Sequence, residues 1–293
     1  FYRTIFFLTS FVFLLVFSLL PYSFFFHLLN VSYILFNSRL PFFLISLFKT
    51  FHVPQYFPSL KEAVRIGDLL NQRQIIVSTK EDPLKIALAA GRHKIEQTIT
   101  PHPASFDSTD ERYTNDVHQD LNLVNINYSV NIIGMGRSNT VIVGGLFVEG
   151  EDVVDVVAVS KLTISRSMYN GVFGCNGASI HMKDVLIDEC QGNGVLFLET
   201  SHNKMIDCEV SNNGNHGIWL LDSNLRIEGS KTIVHNNGTR ENMDPHTINY
   251  GIHTSALSIV YVLAPLKKET LSTNNQGGSN FTGGRGTIKM IQE

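Results

Sequence analysis

Hydrophobic and polar positions are arranged in two different ways along this chain. From Thr4 to Ser38, no Lys, Arg, Asp or Glu interrupts a run built mainly from Phe, Leu, Ile, Val, Tyr and Ser. From Val130 onward, short β-branched runs alternate with Gly and Asn. Between these regions, Pro54 and Pro58 predict a linker over residues 49–58. An amphipathic helix follows, from Ser59 to Leu70. Ser59 and Glu62 make a capping box, and Leu60, Ala63, Val64, Leu69 and Leu70 supply the apolar face. Residues 100–120, with Pro101, Pro103 and several Asp, read as a loop.

The short runs recur at a fixed interval. Asn170-Gly171-Val172, Asn193-Gly194-Val195 and His216-Gly217-Ile218 are spaced by 23 residues. The same offset carries Ile164 to Ile187, Val210 and Ile233, and Ser167 to Cys190, Asn213 and Asn236. Val141 lies one step before Ile164. Tyr250-Gly251-Ile252 continues the Gly motif after an insertion of 11 residues. A unit this short cannot bury its own apolar side, so stacking must do so. Helical repeats are excluded, because Gly and Asn break every candidate 3.6-residue period. Leucine-rich repeats have this length, but their Leu-x-x-Leu-x-Leu frame is missing. A parallel β-solenoid remains, with equivalent residues about 4.8 Å apart along its axis. Ile164, Ile187, Val210 and Ile233 are expected to form one inward column, and Val172, Val195 and Ile218 another. Ser167, Cys190, Asn213 and Asn236 are expected at one turn. Phe173, Phe197 and Trp219 fall at apolar positions, and core packing is expected for all three.

This pattern resembles the right-handed parallel β-helix family, the pectin-lyase-like superfamily. The segment from Val130 to Gly145 looks like the first full coil of those proteins. The predicted helix looks like the cap they place over the open end. The resemblance implies an all-β solenoid with coils of about 23 residues over residues 59–293. It implies no single activity, because the fold hosts lyases, hydrolases, epimerases, adhesins and scaffolds.

Charge and cysteine content narrow the partners. Residues 1–48 hold 13 of the 20 Phe and only two charges, Arg3 and Arg39. That segment reads as a signal or membrane anchor, longer than the roughly 20 residues that cross a bilayer, or as the translated leader of a frame that lacks its start. A membrane-anchored or secreted location follows from the first reading. The remaining residues carry 21 Lys and Arg against 26 Asp and Glu. No nucleic-acid partner is expected from that balance. Three Cys cannot build a disulfide scaffold. Four glycosylation sequons occur, at Asn30, Asn127, Asn237 and Asn280.

Candidate chemistry gathers at two places. Glu199 and Asp222 share a column, 23 residues apart, which suits a binding carboxylate pair or a solvated turn. Asp184 and Asp207 repeat that arrangement. The insertion before Tyr250 carries Arg240, Glu241, Asp244 and His246, with His253 just beyond. Insertions in solenoids form loops over one face. A His beside a carboxylate and an Arg suits proton transfer on a uronate, with Arg neutralising the sugar carboxylate. Asp244-Pro245-His246 is similar to the D-P-H-D motif of mannuronan C5-epimerases, with Thr247 in the fourth position. That likeness implies catalytic roles for Arg240, Asp244, His246 and His253. No cofactor is expected, and no metal site, since the His residues lack ligand spacing. Three readings stay open: a carbohydrate-binding or carbohydrate-active domain without an identifiable catalytic set, a polyuronate epimerase or lyase using residues 240–253, and a non-catalytic protein-interaction scaffold.

Overall fold

The computed structural model describes residues 49–55, 57–74, 76–96, 98–99, 120–150, 156–239, 248–278, 280–282 and 285–292. Residues 1–48, the expected anchor, lie outside them. Among the described residues, no helix is long and apolar enough to cross a membrane.

The chain winds into coils, and each full coil contributes three strands to three parallel columns. The first column begins with Thr50–Val53 and Leu84–Leu88 and runs through Val130–Ile133 to Thr287–Ile291. The second runs from Gly91–Lys94 through Thr140–Val143 to Ser272–Thr273. The third runs from Leu123–Ile126 through Val172–Cys175 to Asn280–Thr282. Val156–Ser165 and Ser179–Asp188 each span the first two columns. They bend where the backbone turns left-handed, at Lys161 (φ 56°) and Asp184 (φ 55°). Left-handed residues also close the second column, at Arg166, Glu189, Asn212, Asn236 and Asn274, and the third, at Asn176, Glu199, Asp222 and Ala256. Asn and Asp tolerate this conformation best, which is why the repeat is rich in them.

The inward rows are aliphatic. Ile142, Ile164, Ile187, Val210 and Val234 stack in register in the second column, each 0% exposed. Burying each such side chain contributes about 1.5–3 kcal/mol. The expected row ended at Ile233, and the structure replaces it with Val234. Val210 pairs with Val234 because the corner before Asn224 is one residue shorter than its predecessor and the turn at Gly229–Thr232 two residues longer, a net gain of one. One extra residue moves every following side chain to the opposite face. Ile233 therefore points outward and is half-buried. In the other direction, the step below Ile164 is one residue shorter than 23, so Ile142, not Val141, lies beneath it.

The turn ladder shifts likewise. Asn213 donates through Nδ2 to Asn237 Oδ1 at 2.9 Å, and Asn237 donates to Asn275 Oδ1 at 2.9 Å. Asn236, the expected member, is the exposed left-handed corner beside it. The Asn237 amide is buried in this ladder, so that sequon presents no acceptor in the folded protein.

The helix α1 (Leu60–Gln72) is capped by Ser59, whose Oγ accepts from Glu62 N at 3.2 Å. It buries Leu60, Ala63, Val64 and Gly67. A Cβ at Gly67 would fall 2.4 Å from Tyr128 Oη, so only Gly permits this approach. Residues 49–58 differ from the expected linker. Thr50–Val53 is an edge strand paired in parallel with Leu84–Leu88, and Phe51 stacks 4.5 Å from Phe57. Phe51 and Val53 are apolar at alternate positions, the period of a half-buried strand.

Candidate functional site

Outside the solenoid, the third column carries an apolar row. Phe147, Phe173, Leu196, Trp219 and His253 are register partners in successive coils. Their neighbours Val172, Val195, Ile218 and Ile252 point inward and are fully buried. Of the three aromatics expected in the core, Phe197 faces the solenoid interior, Phe173 is buried in a second apolar cluster on the outer side of the sheet with Leu123, Phe147, Cys175 and Leu196, and Trp219 packs half-buried against that cluster. Phe147 and Phe173 meet edge to face at 5.1 Å, and Tyr169 flanks Phe173 at 6.2 Å.

At the far end of this row four rings converge. Trp219 and His253 stack at 5.7 Å with 14° between planes. His216 lies 4.6 Å from His253 and stacks parallel to Tyr250 at 6.1 Å. Trp219 donates from Nε1 to Ser255 Oγ at 3.3 Å. His216 stands where the preceding coils place Asn170 and Asn193, and it takes over their bonds. Asn193 N and Nδ2 both donate to Asn170 Oδ1, and His216 N donates to Asn193 Oδ1. In the next step Tyr250 N donates to His216 Nδ1 at 2.8 Å.

That backbone N–H fixes the protonation pattern. A backbone N–H only donates, so Nδ1 of His216 must be the bare nitrogen and Nε2 carries the proton. His216 Nε2 lies 3.1 Å from His253 Nδ1, which therefore accepts. Burial, then the nearby His253, depresses the His216 pKa to about 3. Burial also lowers that of His253. A proton added at His253 Nδ1 would oppose the N–H of His216. Both rings are held neutral, and His253 carries its own N–H at Nε2.

The other sequence candidates lie elsewhere. Arg240, Asp244 and His246 are outside the described residues. Of the described ends of their insertion, Thr239 bonds the Asn213 carbonyl, and Ile248 leads through Asn249 into Tyr250 of the ring cluster. Glu199 and Asp222 occupy successive left-handed corners and are exposed. Asp222 Oδ1 accepts from Leu257 N at 3.2 Å. That corner is three residues beyond Trp219, on the order of 10 Å along the strand, so the structure does not bring this pair to His253. Asp184 is paired with Arg137 at 2.9 Å, and Asp207 Oδ1 accepts from Lys231 N at 3.2 Å. Arg137 also lies 3.6 Å from Glu209, which meets His235 at 3.1 Å, and this second cluster is internally paired. Cys175, Cys190 and Cys208 are free and buried. Burial pushes the Cys190 thiol up to about 12, away from nucleophilic use. Among the described residues, no three His, Cys, Asp or Glu side chains are grouped to hold a metal.

His253 was legible from the sequence, but its partners were not. His216 read as a turn residue and Trp219 as core, and their meeting with Tyr250 depends on pairing across the insertion.

Comparison with known proteins bears on the fold. No curated protein sequence matches the chain. A chain of Geobacillus virus E2, ORF18, is similar in structure at 12% identity and a TM-score of 0.42, over 83% of this chain and 60% of that one. The chain thus spans about 60% of the length of that relative. The pectate lyase Pel9A is similar at 11% identity and a TM-score of 0.37, over 75% of this chain and 71% of that one. The A-module of the mannuronan C-5 epimerase AlgE4 of Azotobacter vinelandii is similar at 9% identity and a TM-score of 0.23, over 83% of this chain and 98% of that one. The family model described as "Right handed beta helix region" matches residues 123–292, more than half of the chain, and this protein belongs to that family.

Proposed function

We propose that this domain binds glycans on the outer face of its third column, where Trp219, His216, Tyr250 and His253 meet. The observation that carries the reading is the ring cluster itself. Aromatic rings at a protein surface offer apolar area together with oriented N–H groups, which suits the alternating C–H and hydroxyl faces of a sugar. His253 contributes a neutral imidazole of fixed tautomer. Its Nδ1 is already an acceptor for His216, so it serves in orientation rather than as a proton acceptor at that nitrogen. An epimerase or lyase activity would rest on Arg240, Asp244 and His246. Helix α1 serves as the cover of the solenoid's first end, and the coil of about 23 residues as its repeating unit.

The protein has a single Trp, so its fluorescence reports on Trp219 alone. Titration of the full chain with galactan, polymannuronate and polygalacturonate should shift or quench that emission for at least one glycan. Trp219→Phe should keep part of the affinity measured by calorimetry, and Trp219→Ala should lose about tenfold or more. No spectral change and no heat with any glycan would defeat the proposal. Incubation with polymannuronate in D₂O separates binding from catalysis, since deuterium at C5 would appear only with proton abstraction.

A further inference from the structure

The first column's outer face differs from the third in charge. Lys85, Asn131, Ala158, His181, Lys204, Arg226, Tyr261 and Lys289 are register partners in consecutive coils and form one row along the axis. The row points outward, because Met182, Met205, Ile227 and Val262 beside it are inward and buried. Lys85, Arg226 and Lys289 are exposed, and Lys204 is half-buried. Lys183 adds a further exposed cation two residues along its strand from His181. Of the carboxylates described in these strands, Asp184 and Asp188 lie past the row in Ser179–Asp188, with Asp184 paired to Arg137, and Glu228 ends Asn224–Glu228. Glu228 pairs with Lys204 at 3.1 Å and with Arg226, and so holds both heads over the middle of the row. Lys289 Nζ lies 5.8 Å from the Tyr261 ring centre, which fixes the row's far end.

We infer that this row binds a linear anionic glycan, its carboxylates or sulfates lying along the solenoid axis. Coils repeat about every 4.8 Å, so cations in successive coils meet a chain that carries charge at regular short intervals. A single small anion would use one or two of them, whereas a polymer engages the whole row and releases its counterions together. The balance of the face is cationic while the chain as a whole carries a net charge of −3, so the attraction is confined to one side of the molecule. Nucleic acid fits less well. Tyr261 is the only aromatic in the row and is already engaged by Lys289, which leaves no free stacking platform for bases. This inference shares with the function proposed above the idea of a glycan partner, but it concerns another face.

The test measures the affinity of the full chain for polygalacturonate, neutral galactan and single-stranded DNA at several salt concentrations. Polygalacturonate should bind with strong salt dependence and galactan should show none on this face. The double variant Lys204→Gln/Arg226→Gln should weaken polygalacturonate at least about tenfold and flatten the salt dependence, with the circular dichroism spectrum unchanged. Lys85→Gln, at the row's other end and away from Glu228, should weaken it less, in the same direction. Trp219→Ala should leave this binding intact. Polygalacturonate binding that is absent, indifferent to salt, or unchanged in the double variant overturns the inference, as does tighter binding of DNA. Loss of the Trp219 fluorescence response with this binding retained would overturn only the ring-cluster proposal.

Discussion

His216 shows how one residue can keep a structural ladder and create a site. Asn170 and Asn193 bridge coils with a side-chain oxygen, and His216 does so with Nδ1. An imidazole that accepts from a backbone N–H must stay unprotonated there. Its pKa in the folded chain is about 3, against an ordinary value of 6.5. The unfolded chain therefore takes up a proton below about 6.5 that the folded chain refuses. Stability from neutral His216 is complete above that pH and declines as pH falls toward 3, by up to roughly 4 kcal/mol. His216→Asn keeps the acceptor and removes the titration. The melting temperature of the native protein should fall more steeply between pH 7 and pH 4 than that of the Asn variant. Parallel curves would show that His216 is not the acid-sensitive group.

At the scale of the strand, the repeat was legible and its exact phase was not. Ile164, Ile187 and Val210 are register partners in successive strands, in the order that equal spacing predicted. The row then slipped by one at Gly229–Thr232. Both Ile233 and Val234 are aliphatic, so composition alone could not say which faced inward. The third column hid its faces in the same way. Phe197 is buried inside the coil, Phe173 is buried in the apolar cluster on the sheet's other side, and Trp219 is half-buried against that cluster, a difference a linear reading cannot show. The cluster at the insertion was legible only as His253, because pairing of Trp219 with His253 requires knowing where the next coil resumes. Two substitutions separate the readings. Val234→Asp places a carboxylate at a fully buried position and should cost several kcal/mol, enough to unfold neighbouring coils. Ile233→Asp changes a half-exposed outward residue and should cost about 1 kcal/mol. Equal losses in urea unfolding would restore the equal-spacing register.

The outer faces of the solenoid differ chemically while its interior stays mainly aliphatic. Aromatic and imidazole rings lie on one face, a cationic row on another, and an internally paired Arg137–Asp184–Glu209–His235 group on the third. Such division is natural to a solenoid, because inward residues fix the coil and leave outward ones free to vary in rows. The same architecture makes the ends its weak points, since the last strand offers unpaired backbone groups. At the first end, the strand Thr50–Val53 covers the edge of Leu84–Leu88 and buries Phe51 and Val53. These two side chains contribute roughly 3–6 kcal/mol together. The solenoid belongs to the unit Phe48–Glu293, so a chain shortened to begin at Lys49 should fold with a cooperative thermal transition close to that of the full chain. One shortened to begin at Pro54 loses the edge strand and exposes Leu84–Leu88. It should melt several degrees lower and aggregate on light scattering. If both shortened chains melt alike, the edge strand contributes nothing. If the Lys49 chain alone fails to fold while the full chain is stable, residues 1–48 belong to the solenoid's support rather than to a separate segment.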